Sequence, residues 1–224
     1  MVAARNGGGD PTSNLSLRYA IDEAKYANMP RDTIERAVQK GTGEGDTSTW
    51  ETIRYEGYAP GGVAVIVDAL TNNRTRTAAD VRNAFADHGG NVGTSGCVAY
   101  LFDARGEIVI DGAPGEPPAR GQPAPPPLSE DRVMEVALEA GALDVVAIGD
   151  EESPAFQVLT DPGDFQRVKD AIEKAGLRIA EAALSLIPQT RTEVSGEQAQ
   201  AVEAIVEELE ELDDVQKVYT NVAG

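Results

Sequence analysis

The spacing of apolar and polar positions changes period several times along the chain, and each change marks an element. Val63 to Leu70 is an unbroken apolar, largely β-branched run opened by Pro60-Gly61-Gly62, which predicts a strand covered on at least one face. After a polar loop, Val81, Ala84, Phe85 and His88 recur at i, i+3, i+4 and i+7, the stripe of a helix lying against that strand. Thr77 is expected to open this helix, its hydroxyl taking an orphan backbone N–H while Asp80 completes a capping-box-like pair. Gly89-Gly90 ends it, and Gly96 to Phe102 (GCVAYLF) is expected to return as another strand. This is a β-loop-α-β unit whose loop sets Asn72, Asn73, Arg74 and Arg76 at the helix start.

The same periods organise the rest. Leu17, Ala20, Ile21 and Ala24 form one helical stripe, and Ile34, Ala37 and Val38 form a second in a helix begun near Pro30 and stopped by Gly41. A linker follows over residues 42–48, and Trp50 to Tyr55 leads as a strand into the central unit. Glu107 to Ile110 is a strand, and a helix from Ser129 turns Val133, Val136, Ala137 and Ala140 inward. Asp144 to Ile148 and Ala155 to Leu159 are strands, Asp164 begins a helix, and Leu177 to Ile187 is extended. The order β-α-β-β-α-β is the ferredoxin-like pattern. Beyond Pro188 come a strand (Thr190 to Val194), a helix capped by Ser195 with Gln198 at its third position, and a strand (Gln216 to Asn221). Neither this β-α-β nor the central one can bury its helix face alone, so the two are expected to join. The predicted fold is α+β: an N-terminal helical domain (1–48), a split ferredoxin-like domain (49–106 and 188–224) and an inserted ferredoxin-like domain (107–187). Residues 113–127 hold seven of the thirteen prolines and predict an extended polyproline loop within the insertion.

Composition narrows the function. Residues 1–102 carry 10 basic and 12 acidic side chains, a net of −2; residues 103–224 carry 9 and 26, a net of −17. A polyanion is repelled by the second part, so any nucleic-acid contact falls to arginines of the first. Aromatics are 5% of the chain, so the cores are aliphatic. No apolar run approaches the ~18 residues of a membrane helix, no leader pattern opens the chain, and one cysteine, Cys97, fits a reducing cytoplasm. Cys97 is expected inside a strand, as a small buried hydrophobe. Catalysis has little to stand on. His88 is the single histidine, no nucleophile elbow accompanies it, no Cys/His spacing suits a metal, and no dinucleotide signature is present. A non-enzyme without cofactor is expected.

The loop from Asn72 to Thr77 is the leading binding candidate. Arginine forks match phosphate oxygens, asparagine amides reach base edges or ribose, and helix-start N–H groups favour anions. Arg82, His88 and Asn91 extend the surface. The alternative is that Arg74 and Arg76 pair with the protein's own carboxylates, such as Asp80, in which case the loop has no grip.

VAARNGGGDP at residues 2–11, NMPRDTIERAVQKGTG at 28–43, residues 56–82, HGGNVGTSGCVAYLF at 88–102 and LEELDDVQKVYTNV at 209–222 together resemble the YebC/PmpR family of gene-expression regulators over nearly the whole chain. The resemblance implies three domains, nucleic-acid partners and no catalysis. It also implies a basic segment ahead of Met1, where this chain reads as the tail of a helix. Two versions of function follow: DNA-binding transcriptional regulation, or ribosome-associated help to translation at proline-rich stretches, with ribosomal RNA or tRNA as partner. Shape docking of an acidic body on folded RNA favours the second. A protein-interaction adaptor touching no nucleic acid stays as a further alternative. The oligomeric state is left open.

Overall fold

The structure is a computed structural model that describes residues 1–43, 50–111, 128–148 and 153–223; the expected polyproline loop 113–127 and most of the linker 42–48 lie outside the described residues. In chain order come α1 (Val2–Gly7), α2 (Leu15–Tyr26), α3 (Arg31–Thr42), β1 (Glu51–Ala59), β2 (Val63–Thr71), α4 (Arg74–Asp87) and β3 (Asn91–Val92). They are followed by β4 (Phe102–Asp111), α5 (Glu130–Glu139), β5 (Asp144–Ala147), β6 (Ala155–Thr160), α6 (Phe165–Lys174), β7 (Ile179–Pro188), α7 (Glu197–Glu211) and β8 (Val215–Thr220). The fold is α+β, with N-terminal helices and two four-stranded sheets ordered β3-β1-β2-β8 and β5-β6-β4-β7. Two compact units result. One groups the N-terminal helices with Ala104–Ser185, and the other groups the central stretch up to Asp103 with Leu186–Gly224. Among the described residues no helix is long and apolar enough to cross a membrane.

In the first unit β4, α5, β5, β6, α6 and β7 follow the ferredoxin-like order, first strand beside third and the second and fourth at the edges. Ile108, Ile110, Phe156 and Val158 face Val133, Ala137, Val168 and Ile172. The alternating burial along β4 and β6 is the signature of a sheet covered on one face. Helix α2 presents Tyr19 and Tyr26 to this core, with the Tyr19 and Phe165 rings edge-on at 5.4 Å. That orientation leaves Ala20 exposed, against the predicted stripe. Gly41 does not stop α3 but lies buried within it, where a side chain would collide with the Met1 carbonyl just before α1. Asn14 caps α2 through Leu17 N–H and donates to the Ala3 and Gly8 carbonyls, tying α1 to α2.

One buried charge locks α2 to α6. Lys169 is 5% exposed, with Nζ 2.7 Å from Asp22 Oδ2, 3.4 Å from Glu173 Oε1 and 5.7 Å from the Tyr26 ring centre. Burial alone would pull the ammonium down, but the Asp22 hydrogen bond and the surrounding charge hold it above the ordinary lysine value. Breaking such a pair leaves an uncompensated charge, whereas removing both partners does not. Asp22→Ala is therefore expected to cost about 3 kcal/mol in urea unfolding, and adding Lys169→Met to restore most of it.

In the second unit β2 is buried on both faces. Val63, Val65 and Val67 meet Val81, Ala84 and Phe85 of α4 and Val202, Ile205 and Leu209 of α7; Ala64 and Ile66 meet Val98 and Phe102. Double coverage explains the unbroken apolar run. Gly57 in β1 is required by close packing, since a side chain there would strike the Phe85 ring and the Asn91 carbonyl. Three expectations change here. Gly96 to Phe102 is not a strand: it turns through a short 3-10 helix at Ala99–Leu101 before β4 begins, and Cys97 is half-buried in that turn. Thr190 to Val194 supplies only an isolated parallel bridge, Thr192 to Val222, because β1 already occupies the position beside β2. Helix α7 begins after Gly196, at φ 58°, with no side-chain cap from Ser195.

Candidate nucleic-acid interface

The bend from β2 into α4 is fixed by a carboxylate from the far end of the chain. The Asp214 side chain accepts from the Thr71 hydroxyl at 3.1 Å, the Thr77 hydroxyl at 2.6 Å and Arg76 Nη2 at 2.6 and 2.9 Å. Its carbonyl takes Leu70 N–H at 2.7 Å. Thr71, Thr77 and Asp214 are all buried. Burial pushes the Asp214 carboxyl up, but the hydrogen bonds from Arg76, Thr77 and Thr71 outweigh it and hold the group below the usual aspartate value. The same pairing raises the Arg76 guanidinium.

This network relocates the helix start. Helix α4 begins at Arg74, not Thr77, and its cap is Asn73, whose side chain accepts from Arg76 N–H at 3.1 Å. Thr77 cannot cap because its hydroxyl is turned into the core toward Asp214, and Asp80 forms no capping box with it. The carboxylate that takes Arg76 is Asp214 rather than Asp80.

The eight predicted residues therefore divide. Arg76, Asn73 and Thr77 hold the bend together. Arg74 stands clear of it, with its side chain 71% exposed and its nearest carboxylate, Glu51, at 3.8 Å, beyond hydrogen-bond reach. Asn72 is exposed just before α4, and Arg82 is exposed about two turns further along it. His88 and Asn91 lie elsewhere: α4 has 14 residues, about 21 Å of helix, and both sit past its far end. There His88 Nε2 pairs with Glu208 Oε2 at 2.9 Å, and Asn91 is exposed on β3. Beside Arg76 a cleft of about 370 Å³ is lined by Asp80, Glu211, Asp213 and Asp214, which repels phosphate. The cationic face is thus Arg74 and Arg82, away from that cleft.

Sequence reasoning missed two residues. Tyr55 on β1 points at α4, and its hydroxyl is buried without a hydrogen-bond partner. Burial raises its pKa while Arg74 and Arg82 both pull it down, so one tyrosine sits beneath both arginines. The alternation of β1 could have placed it on the helix side. Glu56, 4% exposed, accepts from Gly96 N–H at 2.7 Å, Val98 N–H at 2.9 Å and Ala99 N–H at 2.8 Å. Burial raises this carboxyl, but the three donors together bring it below the ordinary glutamate value. Burial, then the Glu56 charge, pushes the neighbouring Cys97 thiol up, as for a structural cysteine rather than a reactive one. Among the described residues no cluster of His, Cys, Asp or Glu has the arrangement to hold a metal ion.

Residues 50–222 match the family profile described as TACO1/YebC second and third domain, and residues 1–44 match TACO1/YebC protein N-terminal domain. A probable transcriptional regulatory protein of Paraburkholderia xenovorans is 49% identical over 222 residues, spanning 99% of this chain and 85% of that protein. A second, from Desulforapulum autotrophicum, is 47% identical over 220 residues, 98% and 82% of the two chains. The crystal structure of a conserved hypothetical protein from Aquifex aeolicus superposes with a TM-score of 0.81 at 43% identity, over 99% of this chain and 85% of that one.

Proposed function

Because the chain belongs to the TACO1/YebC family, we propose that it is a non-enzymatic, nucleic-acid-binding regulator of gene expression that docks through Asn72 and Arg74 at the start of α4 and Arg82 two turns along it. The observation that carries this reading is Arg74, largely exposed on a bend that the Asp214 network keeps rigid. A backbone already fixed in this way leaves only the Arg74 side chain to be ordered on meeting a phosphate.

The partner we favour is folded ribosomal RNA, with the chain assisting translation at proline-rich stretches. Two exposed arginines on a body of net charge −19 suit docking by shape. Sliding along duplex DNA depends on many basic contacts. The second reading, a DNA-binding transcriptional regulator, is favoured by the names of the relatives. Cosedimentation with ribosomes and retention of promoter fragments, both at one fixed salt, separate the two. Sequence-specific duplex binding without ribosome association would reverse our preference.

Arg74→Ala is expected to weaken retention of whichever nucleic acid binds about tenfold near ~0.1 M salt, and to lower the salt slope by about one. Arg74→Ala combined with Arg82→Ala should weaken it further. Unchanged retention of both RNA and DNA by the double variant would remove this surface from the function and leave a protein adaptor.

A further inference from the structure

Among the described residues three buried side-chain oxygens make no hydrogen bond: Tyr55 Oη, Asp111 Oδ1 and Gln166 Oε1. Two of them have relief close by. The Arg178 guanidinium lies 3.4 Å from Asp111 Oδ1, and Gln166 is anchored by its other amide atom, which donates to Asp170. Tyr55 has a single polar side-chain atom, and that atom is the unsatisfied one. An unmade hydrogen bond on a buried hydroxyl is costly, and a phenylalanine would fill the same space without it. Natural chains keep such local losses chiefly where function needs them.

The backbone fixes what lies over this ring. A side chain at Gly57 would strike the Phe85 ring, so positions 57 and 55 of β1 face α4. Tyr55 pairs with Val67, which shares its core with Val81 and Phe85. At the other end of β1, Glu51 lies 3.8 Å from Arg74. Strand and helix therefore run side by side in the same direction, Glu51 level with Arg74 and Gly57 level with Phe85. Tyr55 falls about two thirds of the way between these anchors, near the level of residues 81 and 82. Arg82 folds back toward Arg74, its Nη1 donating to the Ala78 carbonyl at 3.2 Å. Arg74, Ala78 and Arg82 follow at i, i+4 and i+8 along one side of the helix, so only a methyl group stands between the two arginines. Their charges are the strongest to reach the Tyr55 hydroxyl, with Glu51 and Asp214 opposing them more weakly. Guanidinium groups only donate, so they offer nothing to the hydroxyl proton. All three groups want an acceptor with several oxygens.

Building on the docking surface proposed above, we infer that the Tyr55 hydroxyl is the third donor of a phosphate site, in which one backbone phosphate of the nucleic acid accepts from Arg74, Arg82 and Tyr55 together. The arginines supply charge and the hydroxyl a neutral, directional bond. Docking opens the path to the hydroxyl by turning the exposed Arg74 and Arg82 side chains onto the phosphate.

Tyr55→Phe tests this against a packing role. Its urea-unfolding midpoint is expected at or above the wild-type value, because the unmade bond is gone. Its retention of ribosomal RNA or of a promoter duplex, whichever the wild type retains, is expected to fall about tenfold near ~0.1 M salt. The salt slope should match wild type, since a neutral hydroxyl releases no counterion, whereas Arg74→Ala lowers it by about one. Unchanged retention, a lowered midpoint, or a slope reduced as in Arg74→Ala each overturns the inference. Retention weakened by Arg74→Ala but not by Tyr55→Phe removes Tyr55 alone. A wild type that retains neither RNA nor duplex removes the docking surface and this site with it.

Discussion

Asp214→Ala is expected to lower the stability of the second unit by about 3 kcal/mol, since it strips a charge-assisted acceptor from two buried hydroxyls and from Arg76. Equilibrium urea unfolding of the variant beside wild type measures the loss. Its pH dependence has a fixed sign. The carboxyl is depressed in the folded state, so its contribution is full above the unfolded aspartate pKa of about 3.9 and fades as pH falls through the folded value. Asp214→Asn should therefore differ most from wild type near neutral pH, begin to converge with it only below about pH 4, and meet it once the pH has fallen past the lowered folded value. A variant as stable as wild type at neutral pH would show that the bend is held by local turn geometry instead. The function is expected to suffer as well, because Arg74 loses its fixed footing when Thr71 and Thr77 are released.

Glu56→Gln is the second large effect. The carboxylate satisfies three backbone donors of the turn from Gly96 to Ala99. An amide offers one oxygen and turns an NH₂ group toward donors that need an acceptor. We expect a local penalty of about 2–3 kcal/mol, read as roughly hundredfold faster hydrogen exchange at the Gly96, Val98 and Ala99 amides. Exchange unchanged at those three positions would mean that the apolar contacts of Val98 and Phe102 hold the turn alone.

Both predictions rest on residues that local pattern could not connect. The periodic part of the chain was legible: Val81, Ala84 and Phe85 lie buried as their spacing requires, β2 shows its unbroken apolar run buried on both faces, and the β-α-β-β-α-β order gave the second sheet its topology. The errors came where a distant partner overrode a local preference. Thr77 and Asn73 are both good caps, and the choice fell to Asn73 because Asp214 claims the Thr77 hydroxyl from 137 positions away. GCVAYLF has the composition of a strand, yet Glu56 claims its N–H groups. The alternation of Thr190 to Val194 is real, but β1 fills the place it would take. In the candidate site, the arginines were visible as residue types. Which of them is committed and which is exposed depended on Asp214 and Glu51, and no spacing rule reaches that far.

The pairing of β2 with β8 has a consequence for biosynthesis. Thr71 must wait for Asp214, 143 residues later, and at ribosomal speeds of ~5–20 residues per second that interval is roughly 7–30 s. Through it the segment Val63-Ala-Val-Ile-Val67 has one neighbour missing, and it is short, uncharged and rich in β-branched side chains, the type of sequence that nucleates fibrils. Nascent chains stalled before α7 should therefore depend on chaperones, and truncations that remove β8 should collect in inclusion bodies even though they retain the whole arginine-bearing bend.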